Sequence, residues 1–161
     1  MAEPTGVLFV CLGNICRSPT AQGLFVQRLE AAGMLDSVAV DSAGTGDWHV
    51  GRAPDPRAIA AAADQGVDLS PQRARQVTLD DFHQFDRIMA MDRANLADLE
   101  AMAPAGARAR LELFLSYARH ADTDEVPDPY YGGSSGFSRV LELITDASDG
   151  LIHDLRARLR E

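Results

Sequence analysis

Apolar positions along this chain switch repeatedly between two spacings. Val7 to Val10 is a continuous apolar run with β-branched and aromatic members, the pattern of a strand covered on both faces. Val38–Ser42, Asp86–Met91 and Arg110–Leu115 read as three further strands. Between them the spacing becomes helical. Ala21, Leu24, Phe25, Leu29 and Ala32 share a face, and Gly33 is placed to stop the helix. Pro54-Asp55-Pro56 opens an alanine-rich helix from Ala58 to Gln65, closed by Gly66. Asp80 to Phe85 is a short helical segment. Asp92 caps a helix running through Met102, which Pro104 and Gly106 end. The last helix spans about Ser135 to Arg158, with Phe137, Val140, Leu141, Ile144, Leu151, Ile152, Leu155 and Leu159 on one broad face. Alternating strands and helices predict an α/β chain: a parallel sheet, right-handed crossovers and helices on both faces. Such sheets bind ligands at the carboxyl ends of their strands, where the strand order reverses.

The first strand runs into Cys11-Leu12-Gly13-Asn14-Ile15-Cys16-Arg17, followed by Ser18 and Pro19. Ser18 is a good N-cap and Pro19 suits the first helical position. The loop therefore lies at a helix N-terminus, where unpaired N–H groups and the helix dipole attract an anion. Five residues between Cys11 and Arg17 can curl so that successive N–H groups form a phosphate cradle. The same field favours the Cys11 thiolate. Arg17 offers a planar fork for two phosphate oxygens. Gly13 and Asn14 tolerate the positive φ that a tight loop needs. Ser18 can hydrogen-bond the sulfur and steady it as a leaving group. A Cys-x5-Arg spacing alone is weak, since a core thiol and a surface arginine give it by chance. Its position between a strand and a helix start makes it chemical.

The stretch Val10–Pro19 resembles the signature loop of the low-molecular-weight protein tyrosine phosphatases, in particular their bacterial-type members. The resemblance continues through Asp41-Ser42-Ala43-Gly44-Thr45, Arg73-Ala74-Arg75-Gln76, Ala90-Met91-Asp92 and Asp128-Pro129-Tyr130-Tyr131-Gly132. It covers nearly the whole chain in the family's order and implies one phosphatase domain over residues 1–161. The implied fold is flavodoxin-like and three-layered, a four-stranded parallel sheet of order 2-1-3-4 flanked by helices. The implied activity is hydrolysis of phosphotyrosine through a phosphocysteine, with Cys11 as nucleophile and Leu12, Gly13, Asn14, Ile15, Cys16 and Ser18 around the phosphate. No cofactor is implied.

Asp128 lies between Pro127 and Pro129. Read by itself it is a turn residue or the acid that protonates a leaving oxygen. The family's Asp-Pro-Tyr motif favours the acid. By resemblance, Trp48, Tyr130 and Tyr131 line the mouth of the substrate pocket, and Asn14, Ser18 and Ser42 form a supporting network. The family's eukaryotic members usually carry histidine at the position of Gln72, so part of that network differs and Gln72 receives no role. Cys16 reads equally as a buried hydrophobe or, as in the family, the partner that captures oxidised Cys11 in a disulfide. Related bacterial enzymes acting on phosphoarginine look to have threonine where this chain has Ile15, so isoleucine favours phosphotyrosine. Capping accounts for Asp92 without a functional role.

Composition narrows the setting. With 161 residues, 46% apolar and 24% charged, the chain is that of an ordinary globular domain. A net charge of −9, from 15 basic and 24 acidic residues, argues against nucleic acid and anionic membranes as partners. No segment approaches the ~18 apolar residues of a membrane span, and Met1-Ala2-Glu3-Pro4 lacks the parts of a signal peptide. Two cysteines without a disulfide framework fit a reducing cytoplasm. The four histidines are scattered without ligand spacing, so no metal is expected. The expected partners are phosphotyrosine-containing proteins and a tyrosine kinase, met by a monomer. Two rivals are distinguishable. An arsenate reductase sharing this loop would need an external thiol, because no cysteine follows Cys16. A non-enzymatic phosphate-binding module would need neither the nucleophile nor the acid.

Overall fold

In the computed structural model, which describes residues 3–129 and 134–159, Thr5–Cys11 (β1) is the sheet's organising strand. It pairs in parallel with Val38–Gly44 (β2) on one side and with Arg87–Ala90 (β3) on the other. Arg110–Leu113 (β4) pairs in parallel with β3, so the order is β2-β1-β3-β4, as expected. The connection out of β1 runs to one side and the chain later returns to the other. That reversal places the carboxyl ends of β1 and β3 at a crevice.

Residues of β1 alternate between two cores. Val7, Phe9 and Cys11 face the layer that holds Arg17–Ala31 (α1), Pro56–Ala63 (α2) and Ser134–Leu159 (α5). Leu8 and Val10 face the layer of Asp81–Gln84 (α3) and Arg93–Met102 (α4), through Phe82 and Leu99. Period-two alternation thus sends the Cys11 side chain toward α1. Phe9 anchors this layer edge-on, with ring centroids 5.3 Å from Phe25 and 4.8 Å from Phe114.

Several elements differ from the sequence reading. Helix α1 begins at Arg17, and Cys16 occupies the capping position with no side-chain hydrogen bond. Ser18 is not the cap, because its hydroxyl is drawn to Cys11. Gly33, at φ 72°, ends α1 as the pattern implied. Helix α2 starts at Pro56 and closes at Ala63, with Asp55 accepting from the Arg57 N–H as cap. Strand β4 stops at Leu113, and Phe114–Tyr117 turns as a 3₁₀-helix that buries Phe114 and Leu115. Leu159 stands 48% exposed, beyond the apolar face that Leu155 completes. Among the described residues, no helix is long and apolar enough to cross a membrane.

Candidate active site

The loop from Cys11 to Arg17 closes around the Cys11 sulfur. Asn14 N–H points at Sγ from 3.3 Å, and Ser18 Oγ lies 3.0 Å from it. Asn14 is the one described non-glycine residue at positive φ, 56°. That kink turns the loop back over the sulfur. Gly13 is not in the left-handed region, contrary to expectation; its lack of a side chain serves a close approach. A Cβ there would meet the His49 ring 2.9 Å away.

Three neighbouring segments hold the loop shape. Thr45 and Gly46 N–H groups donate to the carbonyls of Cys11 and Leu12, and Asp55 N–H donates to that of Ile15. Among the described residues, the N–H groups of Gly13, Ile15, Cys16, Arg17 and Ser18 find no partner within the chain. Cys16, Arg17 and Ser18 are buried, and buried N–H groups without partners are rare unless a ligand supplies the acceptor. The positive end of α1 adds to the same field.

The side-chain network sets the direction of the bonds through Asn14 and Ser42. Arg75 N–H donates to Asn14 Oδ1, so the Asn14 amide must donate through Nδ2. It does so to Ser18 Oγ at 2.8 Å and Ser42 Oγ at 3.0 Å. Ser42 in turn donates to Gln22 Oε1 at 2.7 Å. With its oxygen already accepting, Ser18 has one proton to give, and two acceptors face it: Cys11 Sγ at 3.0 Å and the Ala43 carbonyl at 3.4 Å, the sulfur being the nearer. The expected trio of Asn14, Ser18 and Ser42 is therefore together, and Gln22 extends it. Sequence reading missed Gln22; its place on the polar side of α1 carried no local signal. Gln72 lies outside this chain of bonds and donates to the Pro19 carbonyl.

Arg17 is buried and tethered by Nη1, which donates to Asp92 Oδ2 at 2.6 Å and to the Val126 carbonyl at 3.0 Å. Burial works against its charge, but the Cys11 sulfur and the Asp92 carboxylate outweigh that, and the guanidinium is held more firmly charged than usual. Asp92 also accepts from the Asn95 N–H and so caps α4. Its tie to Arg17 is a second role that the sequence reading did not assign. Asp128 Oδ2 lies 3.8 Å from Arg17 Nη2, its side chain 41% exposed at the rim.

A cavity of about 200 Å³ opens over the sulfur, lined by Cys11, Ile15, Arg17, Trp48, His49 and Asp128 among others. Trp48 and His49 both stand at this pocket, and His49 is a neighbour that the sequence did not point to. Tyr130 and Tyr131 lie outside the described residues. Cys16 also lines this cavity and is a free thiol. Burial pushes its thiol up to about 12, with Asp55, Cys11 and Asp128 adding in the same direction and Arg57 opposing.

Residues 6–161 match the family model of low molecular weight phosphotyrosine protein phosphatases. A low molecular weight protein-tyrosine-phosphatase of Streptomyces coelicolor is 44% identical over 157 residues, covering 95% of this chain and 94% of that one. A low molecular weight phosphotyrosine protein phosphatase of Schizosaccharomyces pombe is 42% identical over 156 residues, with 96% and 99% covered. Among solved structures, a protein tyrosine phosphatase from Entamoeba histolytica with Hepes in its active site superposes with a TM-score of 0.91. It is 36% identical, and the match covers 95% of this chain and 97% of that one.

Proposed function

The chain belongs to the low molecular weight phosphotyrosine protein phosphatase family and is a cysteine-dependent phosphotyrosine hydrolase; from that premise we propose how its own residues carry the reaction. The Cys11 thiolate attacks phosphorus in line with the tyrosine oxygen. The S–P bond forms as the P–O bond breaks, leaving a phosphocysteine. Asp128, as a carboxylic acid, gives its proton to the departing phenolic oxygen. Its carboxylate then takes a proton from a water whose oxygen attacks phosphorus. The S–P bond breaks, inorganic phosphate leaves, and Ser18 donates to the returning thiolate.

The loop N–H groups without partners, those of Gly13 and of Ile15 to Ser18, hold the equatorial oxygens through both steps, while the Asn14 N–H stays on the sulfur. Because Nη1 of Arg17 is committed to Asp92 and Val126, the grip on phosphate falls to Nε and Nη2. Trp48 walls the ring of the substrate. A thiolate reached only at the bottom of this slot favours a long, flat phosphotyrosine over phosphoserine, and Ile15 at the pocket favours it over phosphoarginine. No cofactor enters the scheme. Cys16 serves as the resolving thiol when Cys11 is oxidised. Residues 1–161 act as one domain, a monomer of the cytoplasm, on proteins that a tyrosine kinase has modified. The count of two cysteines, both in this loop, supports hydrolysis over arsenate reduction, which would have to borrow a thiol.

The observation that carries this reading is the set of partnerless N–H groups curled about the Cys11 sulfur beside a buried, tethered arginine. The test is turnover of p-nitrophenyl phosphate by Cys11→Ser and Arg17→Ala, with circular dichroism confirming the fold. Both variants are expected at the background rate, because a serine hydroxyl is not ionised near pH 7 and the lost fork removes transition-state stabilisation. Substantial turnover by folded Cys11→Ser overturns the mechanism.

A further inference from the structure

A second groove adjoins the catalytic pocket, and nothing in the reaction uses it. It is lined by Leu12, Trp48, Asp98, Ala101 and Met102 among others, with a volume of about 350 Å³. Leu12 and Trp48 line both cavities, so the groove begins one residue from the nucleophile. Trp48 stands between them as a wall. Its ring lies over Gly46, where even a Cβ would approach it to 1.9 Å. Leu12 is 43% and Trp48 67% exposed, too open for a role in the core. Apolar surface of this kind, beside a pocket that takes one residue of a protein, is surface that the rest of the substrate covers.

The far wall is the outer face of α4, and its polar end is Asp98. Asp98 forms no ion pair among the described residues. Its helical neighbours three and four positions away are Ala94, Asn95, Ala101 and Met102, none of them cationic. An apolar floor ending in one uncompensated carboxylate fits a side chain with an aliphatic stem and a cationic head. An extended peptide advances about 3.3 Å per residue, so a side chain within two positions of the phosphotyrosine reaches the groove.

Building on the phosphatase reading, we propose that this groove is a substrate subsite that selects an arginine or lysine flanking the phosphotyrosine, with Asp98 as the specificity-determining residue. Leu12 and Trp48 pack the stem, and Asp98 pairs with the head. The subsite acts on protein substrates only, because a small aryl phosphate does not extend past Trp48.

The test uses synthetic phosphotyrosine peptides with arginine, norleucine or glutamate at each of the two positions on either side. The kcat/KM values are compared for the wild type, Asp98→Asn and Asp98→Lys. At one or more positions the wild type is expected to prefer arginine over glutamate by roughly 1.5-fold to fivefold, the scale of one exposed charge pair. Added salt should erode the preference, because the pair is open to solvent. Asp98→Asn should abolish the preference and Asp98→Lys reverse it. Turnover of p-nitrophenyl phosphate should be unchanged in both variants, which separates this proposal from the mechanism. If no variant hydrolyses p-nitrophenyl phosphate and the wild type does not either, the phosphatase reading itself fails. The subsite is overturned if arginine and norleucine perform alike at all four positions, or if Asp98→Lys keeps the wild-type order of peptides.

Discussion

Asp128 and Cys16 face the same cavity and answer to different physics. At the rim, Asp128 is close enough to Arg17 to meet the oxygen that leaves a phosphate held there. A general acid matters in proportion to how poor the leaving group is. Tyrosine oxygen has a pKa of about 10, so its expulsion needs the proton. Asp128→Ala is therefore expected to lower kcat on a phosphotyrosine peptide by about 10²–10⁴-fold, the usual scale for such catalysis. The loss should shrink steadily across aryl phosphates of falling leaving-group pKa. An equal loss on every leaving group would assign Asp128 to loop positioning instead. Cys16 is deeper, and burial holds its proton up to about 12. Only its thiolate can attack a sulfenic Cys11, and below that pH the thiolate fraction rises about tenfold per pH unit. After peroxide treatment, closure of a Cys11–Cys16 disulfide should therefore be faster at pH 9 than at pH 7. Mass spectrometry of quenched samples reads this directly. In Cys16→Ser the dithiothreitol-recoverable fraction should fall, because Cys11 oxidises further. A rate of closure indifferent to pH would contradict the raised thiol.

Among the elements, the start of α4 shows how one carboxylate ties structure to chemistry. Asp92 Oδ1 caps the helix at Asn95, and Oδ2 holds Arg17. Asn is as good a cap as Asp, whereas Ala loses about 1 kcal/mol. Neither replacement keeps the charge that orients the guanidinium. Asp92→Asn is thus expected to retain about 1 kcal/mol more stability than Asp92→Ala in denaturant melts. Both should lose kcat/KM on the order of 10²-fold, the effect of a misplaced positioning group. Full activity in Asp92→Asn would leave Asp92 as a cap alone. Helix α2 shows the simpler case. Its cap Asp55 is held below the usual carboxylate range by the Arg57 side chain, with the Arg57 N–H helping. That contribution is present above the ordinary carboxylate pKa and is lost as pH falls below it.

Across the whole molecule, α5 closes one layer over the sheet, and its approach depends on Gly150. A Cβ there would fall 1.7 Å from the Tyr117 carbonyl oxygen, a backbone atom that cannot swing away. Helix propensity favours alanine by about 1 kcal/mol, but overpacking against a fixed atom costs about 1–3 kcal/mol. Gly150→Ala should therefore lower Tm despite the better helix former, and leave kcat intact where the protein is still folded. A raised Tm would show that α5 shifts freely. The same region sets an alkaline limit. Burial, with the Glu112 side chain, pushes the Tyr117 hydroxyl from 10.0 up to about 12, and Cys16 rises from 9.0 to about 12. Both groups keep their protons in the folded state at pH values where the unfolded chain has lost them. Their contribution is whole below about pH 9 and declines as pH climbs toward 12, so urea midpoints should fall across that window. A flat midpoint from pH 9 to 11 would contradict it.

Strand, loop and helix succession was legible because each rests on local geometry. Period-two and helical spacings reported β1 to β4 and α1 to α5, and the handedness of crossovers limits how such units assemble. Cys11, Arg17 and the glycine-asparagine turn were legible for the same reason: the chemistry and the chain reversal lie within seven consecutive residues. Boundaries were less so. Ser18 has every property of a cap, yet a sulfur seven positions back competes for its hydroxyl and wins. The residues that only the tertiary structure assigned are those whose partners lie far along the chain. Asp92 meets Arg17 across 75 positions, and Ser42 meets Gln22 across 20 and Asn14 across 28. His49 presses on Gly13 from a neighbouring loop. No periodicity or cap rule encodes such pairs, because a side chain's hydrogen-bond partner is chosen by which atoms packing brings within about 3 Å. Sequence by itself determined a phosphate cradle carrying a nucleophile at the end of a central strand. The packed fold decided which carboxylate holds the arginine and which amide sets the direction of the hydrogen bonds, since both require segments that only the closed sheet places side by side.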